Sequence, residues 1–138
     1  MDNNQQNYAM ACVVVDQQGK VLLLKRAPDK KLYPNKWFVV GAAPLSAEEN
    51  FKEIALREIK DELGVEGKIV REGPKYNLET NDSNWTVVTF LAKISDNDII
   101  LNKEHTEYKW INPNEVRQYE TVPNTVEIVN YFLGKAQV

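Results

Sequence analysis

The stretch from Ser46 to Val65 constrains this chain most, because it combines the apolar period of a long helix with more acid than a core-facing helix ordinarily carries. Ser46-Ala47-Glu48-Glu49 has the form of a capping box and Gly64 stands where a C-terminal cap belongs, so a helix is predicted over Ala47–Leu63. At about 100° per residue, Phe51, Ala55, Leu56, Ile59 and Leu63 fall on one apolar arc that faces the core. Glu62 lies at the edge of that arc, between Phe51 and Ala55. Glu58 lies one turn earlier and Asp61 on the outer flank. Carboxylates gathered near a buried edge repel one another and lose hydration unless something positive neutralises them. A hard divalent cation would do so. With one His and one Cys in the whole chain, oxygen ligands favour Mg²⁺ or Mn²⁺ over zinc. The plain alternative is a solvated face whose acids pair with Arg57, Lys60 or a basic residue elsewhere.

Around this helix the pattern is that of strands. Tyr8–Asp16 and Val21–Arg26 are apolar and β-branched and are separated by Gln18-Gly19-Lys20, which predicts a hairpin. Ala27–Lys36 reads as a long exposed loop and Trp37–Val40 as a short strand. Ile69–Thr80, Trp85–Ile94 and Glu107–Ile111 read as further strands. Asn112-Pro113-Asn114-Glu115 caps a short helix, and Thr125–Leu133 is a terminal one. Strands outnumber helices in a mixed order, so the class is α/β or α+β, a sheet covered by helices.

A chain of 138 residues, 43% apolar, suffices for one core. With no repeat or linker, residues 8–138 are expected to form a single domain behind a disordered polar tail, residues 1–7. Seventeen basic residues against twenty acidic ones, with no basic block, argue against nucleic acid as a partner. No apolar run approaches the ~20 residues needed to cross a bilayer, and the N-terminus lacks a secretory pattern. Cys12 alone cannot form an internal disulfide and reads as a buried thiol. A cytoplasmic setting is expected.

Arg57–Val65 reads R-E-I-K-D-E-L-G-V and resembles the helical half of the Nudix box, R-E-U-x-E-E-x-G-U with U aliphatic. Asp61 replaces the first acid of the E-E pair, and Glu49 lies at the family's distance before Arg57. Leu22-Leu23-Leu24-Lys25-Arg26, Pro34, Trp37 and Trp110 extend the similarity over most of the chain. The resemblance implies an α/β/α sandwich with a mixed sheet. It also implies metal-dependent hydrolysis of a phosphoanhydride by water attack on phosphorus, the substrate being a nucleoside triphosphate, a related nucleoside diphosphate derivative or another small diphosphate. Carried over residue by residue, Glu58 and Glu62 are metal ligands and catalytic, Asp61 is a ligand directly or through water, and Arg57 orients Glu58. The family's glycine loop is degenerate here, Val40-Gly41-Ala42-Ala43-Pro44: at the family's spacing its glycine, and with it the implied metal-binding carbonyl, falls to Ala43, whereas counting forward from Trp37 places the glycine pair at Gly41 and Ala42. That departure motivates the competing reading, a non-catalytic Nudix-fold nucleotide-binding or sensor module, while the retained acids favour the enzyme. A homodimer is compatible with the family.

Glu104 stands where some members carry a loop glutamate that binds metal or activates water, with Glu107 as second choice. His105, the only histidine, reads as an exposed bystander. Arg26 matches an arginine that contacts substrate phosphates in some members. Trp37 and Tyr33 are candidates for stacking on a base, whereas Trp85 suits core packing. Glu49 suits the capping role.

Overall fold

A computed structural model of the chain describes residues 7–80, 82–96 and 98–134. The tail expected over residues 1–7 lies outside the described residues except for Asn7, which opens β1 (Asn7–Val15). The apolar run of β1 lies in parallel beside β7 (Asn84–Lys93) along its whole length, from Asn7 opposite Trp85 to Val15 opposite Lys93. Its other edge pairs antiparallel with β4 (Val40–Leu45). The predicted hairpin survives only at its turn. There Val15 faces Val21 of β2 (Val21–Arg26), Gly19 takes φ +81°, and the Asp16 carboxylate accepts the Gln18 and Lys20 amides. Beyond the turn β2 runs antiparallel to β8 (His105–Ile111) and to β3 (Trp37–Phe38).

Both faces of this mixed, eight-stranded sheet are buried, which explains why its central strands read as unbroken apolar runs. Met10, Cys12 and Val14 alternate with Ala11, Val13 and Val15, and each set enters a different core. The first core holds Leu22, Leu24, Val88 and Phe90 against α1 (Phe51–Leu63). The second holds Val21, Leu23, Leu91 and Trp37 against α2 (Thr125–Leu133) and the 3-10 turn at Pro113–Gln118. The result is the α/β/α sandwich implied above. Among the described residues no helix is long and apolar enough to cross a membrane.

Three further elements depart from expectation. The strand expected over Ile69–Thr80 is two strands, β5 (Lys68–Glu72) and β6 (Tyr76–Glu79), both antiparallel to β7. Between them lie Gly73 and Pro74. Pro74 has no amide to donate, and a Cβ on Gly73 would stand 2.5 Å from Phe132 and 2.8 Å from the Thr89 hydroxyl. The strand expected over Trp37–Val40 is divided at Val39, and its second part continues as β4 through the degenerate loop. The helix begins at Phe51, not Ala47. Asn50 is its N-cap, accepting the Glu53 amide at 3.1 Å. Glu49 does reach back to the Ser46 amide, at 3.0 Å, but the pair closes a turn ahead of the helix.

The N-cap assignment is testable. Asn50→Ala should lower stability by about 0.5–2 kcal/mol in urea unfolding. Ser46→Ala, which keeps the bonded backbone amide, should stay within about 0.5 kcal/mol of the parent. The reverse order would return the helix start to Ser46.

Candidate active site

A cavity of about 270 Å³ opens beside α1, and its lining divides by chemistry. Glu58 and Glu62 of α1 contribute two carboxyl groups. Arg26, Lys30, Glu104 and His105 contribute the other titratable groups, from the end of β2, the loop after it and the approach to β8. Tyr33, Gly41, Ala42 and Ala43 also line it. Phe38, Leu78, Trp85, Val87 and Ile128 supply an apolar wall, in which Leu78 and Trp85 face each other across β6 and β7.

The helix brings Glu62 to this floor as an intruder in its own apolar face. Ile54, Ala55, Ile59 and Leu63 are buried beside it, and Glu62 itself is only 1% exposed. Ile54 takes the place on the buried face that the sequence assigned to Leu56, which is half-buried, and Phe51 packs against Tyr8 with ring centroids 5.9 Å apart. The Glu62 carboxyl is pushed up to about 10. Burial is the largest cause, followed by a hydrogen bond with Glu58 and the charges of Glu58 and Glu104, against which Lys30 works. Among the described residues its Oε1 has no hydrogen-bond partner. Glu58 sits half-buried beside it with Arg57 Nε at 4.0 Å. The Arg57 side chain is mostly in solvent, so this pair contributes little energy. Asp61 points to solvent on the exposed face and does not line the cavity.

His105 is buried, contrary to the exposed position expected, and its Nε2 stands 4.0 Å from Glu62 Oε1. This is not an ion pair. Burial pushes the imidazole down to about 4; Glu104 opposes the shift, while Arg26 and Lys30 add to it. A neutral imidazole therefore faces a protonated carboxyl at neutral pH. Glu104 is exposed, with its carboxylate 3.6 Å from Lys30 Nζ and its carbonyl accepting the Ala27 amide at 3.0 Å. Arg26 donates through Nε to the Leu32 carbonyl at 3.0 Å, which shapes the loop carrying Tyr33. That residue adopts φ +55°.

Trp37 is not brought to the cavity. It is buried in the α2-side core, edge-on to Tyr119 with centroids 5.4 Å apart, and the Lys25 ammonium lies 6.0 Å from its ring centre. Trp85, expected to pack in the core, forms part of the cavity wall, and its Nε1 is buried without a partner among the described residues. Glu107 points away and meets Lys25 at 3.8 Å. Sequence reasoning missed Lys30, Phe38 and His105 as lining residues. Their contribution depends on loop path and strand register, which no local pattern displays.

Among the described residues no three His, Cys, Asp or Glu side chains are grouped tightly enough to hold a metal ion as they stand. The donor chemistry nevertheless suits a hard dication. Two adjacent carboxyl groups, one dry and with an orphaned oxygen, ionise together only if positive charge arrives between them.

The NUDIX domain family model matches residues 5–132, and the chain belongs to that family. It is 23% identical over 122 residues to the nucleoside triphosphatase NudI of Klebsiella pneumoniae, covering 80% of this chain and 86% of that one. The MutT protein of Methanosarcina mazei superposes with a TM-score of 0.84 at 21% identity, covering 100% of both chains. The NUDIX domain of Shewanella oneidensis NrtR, solved in complex with ADP-ribose, superposes at 0.75 with 17% identity, covering 99% of this chain and 94% of that one.

The raised Glu62 pKa gives a stability prediction for metal-free protein. The folded state keeps a proton that the unfolded chain releases, so the contribution is complete below about 4.5 and is lost as pH rises toward about 10. His105 acts oppositely, its contribution fading as pH falls from 6.5 toward about 4. Glu62→Gln should therefore raise the metal-free Tm at pH 8 by at least about 3 °C and by less at pH 5. An equal shift at both pH values would show that the carboxyl is not held protonated.

Proposed function

We propose that the substrate of this Nudix enzyme is a nucleoside triphosphate or a related nucleoside diphosphate derivative, cleaved at a phosphoanhydride by water attack on phosphorus with Mg²⁺ or Mn²⁺. The carrying observation is the dry Glu62 carboxyl beside Glu58 at the floor of the cavity, with its Oε1 unpartnered. Glu58, Glu62 and the Ala43 carbonyl would hold the cation, with Asp61 acting through water from its exposed position. When bound, the cation supplies charge that offsets the polyanionic substrate and the charge developing on the leaving phosphate. Arg26 and Lys30 line the same cavity and are suited to phosphate oxygens, while Glu104 is suited to accept a proton from water.

The apolar wall supports a nucleobase. Phe38 and Trp85 offer aromatic surface worth about 1–3 kcal/mol per stacked base, a role that Trp37 is too buried to take. The volume of about 270 Å³ lies near the lower end of small-molecule sites and suits one nucleoside better than two. The relatives named as nucleoside triphosphatases support the same class. A reducing cytoplasm suits a chain whose one cysteine is buried and carries a thiol pushed up by burial.

Turnover of nucleoside triphosphates should require Mg²⁺ or Mn²⁺, and either ion should raise Tm by binding the native state. Full activity in excess EDTA would sink the metal reading. Glu62→Gln should lower kcat at least about a hundredfold. Ala43→Gly keeps the carbonyl and should change kcat/KM by less than about tenfold, equivalent to about 1.4 kcal/mol. A parent inactive on every nucleotide, with hydrolysis switched on by Ala43→Gly, would instead establish a binding module.

A further inference from the structure

The position of His105 follows from one irregularity in strand pairing. Along β2 and β8, Leu22 faces Trp110 and Leu24 faces Tyr108, so a regular ladder would set Arg26 against Thr106. The register shifts instead between Lys25 and Arg26, and Arg26 faces His105. Leu22 and Leu24 belong to the α1-side core, so the extra residue turns the imidazole onto the face where Glu62 is buried. Without the shift His105 would share the opposite face with Ile111.

We propose that His105 is a positioning residue for Glu62: its Nε2–H is the donor that takes one carboxylate oxygen and leaves the other, beside Glu58, for the cation. This rests on the metal-dependent reading above. Among the described residues Glu62 Oε1, 4.0 Å from His105 Nε2, has no hydrogen-bond partner, and His105 Nδ1 is likewise buried without one. A buried polar atom left without a partner costs about 1–3 kcal/mol, so a closure of about 1 Å that pairs these two atoms is favoured. The neighbouring cations are engaged elsewhere: Arg26 Nε with the Leu32 carbonyl, Lys30 with Glu104, and Arg57 with Glu58 from the solvent side. With no partner at Nδ1 among the described residues and a carboxyl oxygen beside Nε2, this role requires the ring proton on Nε2.

The two ring nitrogens make the test specific, because a glutamine amide reaches the place of Nε2 and an asparagine amide that of Nδ1. Mg²⁺ titrations followed by Tm, without substrate, should show half-saturation raised at least about tenfold in His105→Leu and His105→Asn. The Gln variant should remain within about threefold of the parent, as befits a retained donor. In turnover, the Leu and Asn variants should lose at least about tenfold in kcat with KM nearly unchanged. A Leu variant indistinguishable from the parent, or an Asn variant as good as Gln, would overturn the assignment. In metal-free, tag-free protein the single imidazole should show the Nε2–H tautomer by nitrogen NMR, with a signal displaced by Glu62→Gln. The Nδ1–H tautomer overturns the proposal whether or not the variants fold. Should Mg²⁺ fail to stabilise even the parent, the metal reading fails and the tautomer alone decides the role of His105.

Discussion

Everything at the site depends on α1 being unable to bury its aliphatic face without burying a carboxyl with it. Ile54, Ile59 and Leu63 are at most 3% exposed, and such side chains contribute about 1.5–3 kcal/mol each on leaving water. Rotating the helix to free Glu62 would expose part of that surface. The combined burial exceeds the cost of keeping one carboxyl dry, because the group avoids the larger cost of a buried charge by holding its proton. Apolar packing thus holds a dry, protonated carboxyl beside a second acid at the floor of the cavity.

The sheet determines what surrounds that carboxyl. Because β1 is flanked by β7 and β4, and both of its faces are covered, the strand ends are where a cavity can form. Arg26 closes β2 and His105 opens β8 at the same rung, so a cation and an imidazole arrive together from residues 79 apart in sequence. The Ala27 amide then bonds the Glu104 carbonyl, which ties the loop after β2 to the approach of β8. Lys30 and Glu104 meet across that junction. The charged lining is held by backbone pairing more than by its own weak surface ion pairs.

What was legible in the sequence was periodic or local. The 3.6-residue period placed Glu58 and Glu62 near the buried edge of one helix, and two-sided apolar runs exposed the central strands. The family's spacing added the expectation that the two acids act together. What escaped depended on distant partners. Asn50 and Ser46 are both competent caps, and the choice falls to Asn50 because Leu45 still pairs with Tyr8 in β4 and delays the helix. Trp37 follows a loop of charged and proline residues, yet its amide and carbonyl bond Glu120 and Val122, and these contacts draw it into the second core. The burial of His105 depends on a one-residue slip against β2 that nothing between Glu104 and Trp110 announces.

The degenerate glycine loop is explained by the same reliance on pairing. A flexible glycine pair matters where a chain must turn through positive φ, but Ala42 and Ala43 do not adopt it, and Met10 lies opposite Ala42 in an antiparallel ladder. At Ala42 the peptide direction is set by β1; Ala43 lies where the register shifts before Leu45 meets Tyr8, and without positive φ a methyl group costs little at either. Gly41 is different. A Cβ at that position would lie 3.1 Å from both the Met10 carbonyl and the Phe38 ring, so the constraint is close packing between the strand and an aromatic that lines the cavity. The glycine retained in this loop thus stands where a side chain would crowd the cavity wall, and the alanines stand where the backbone needs no positive φ.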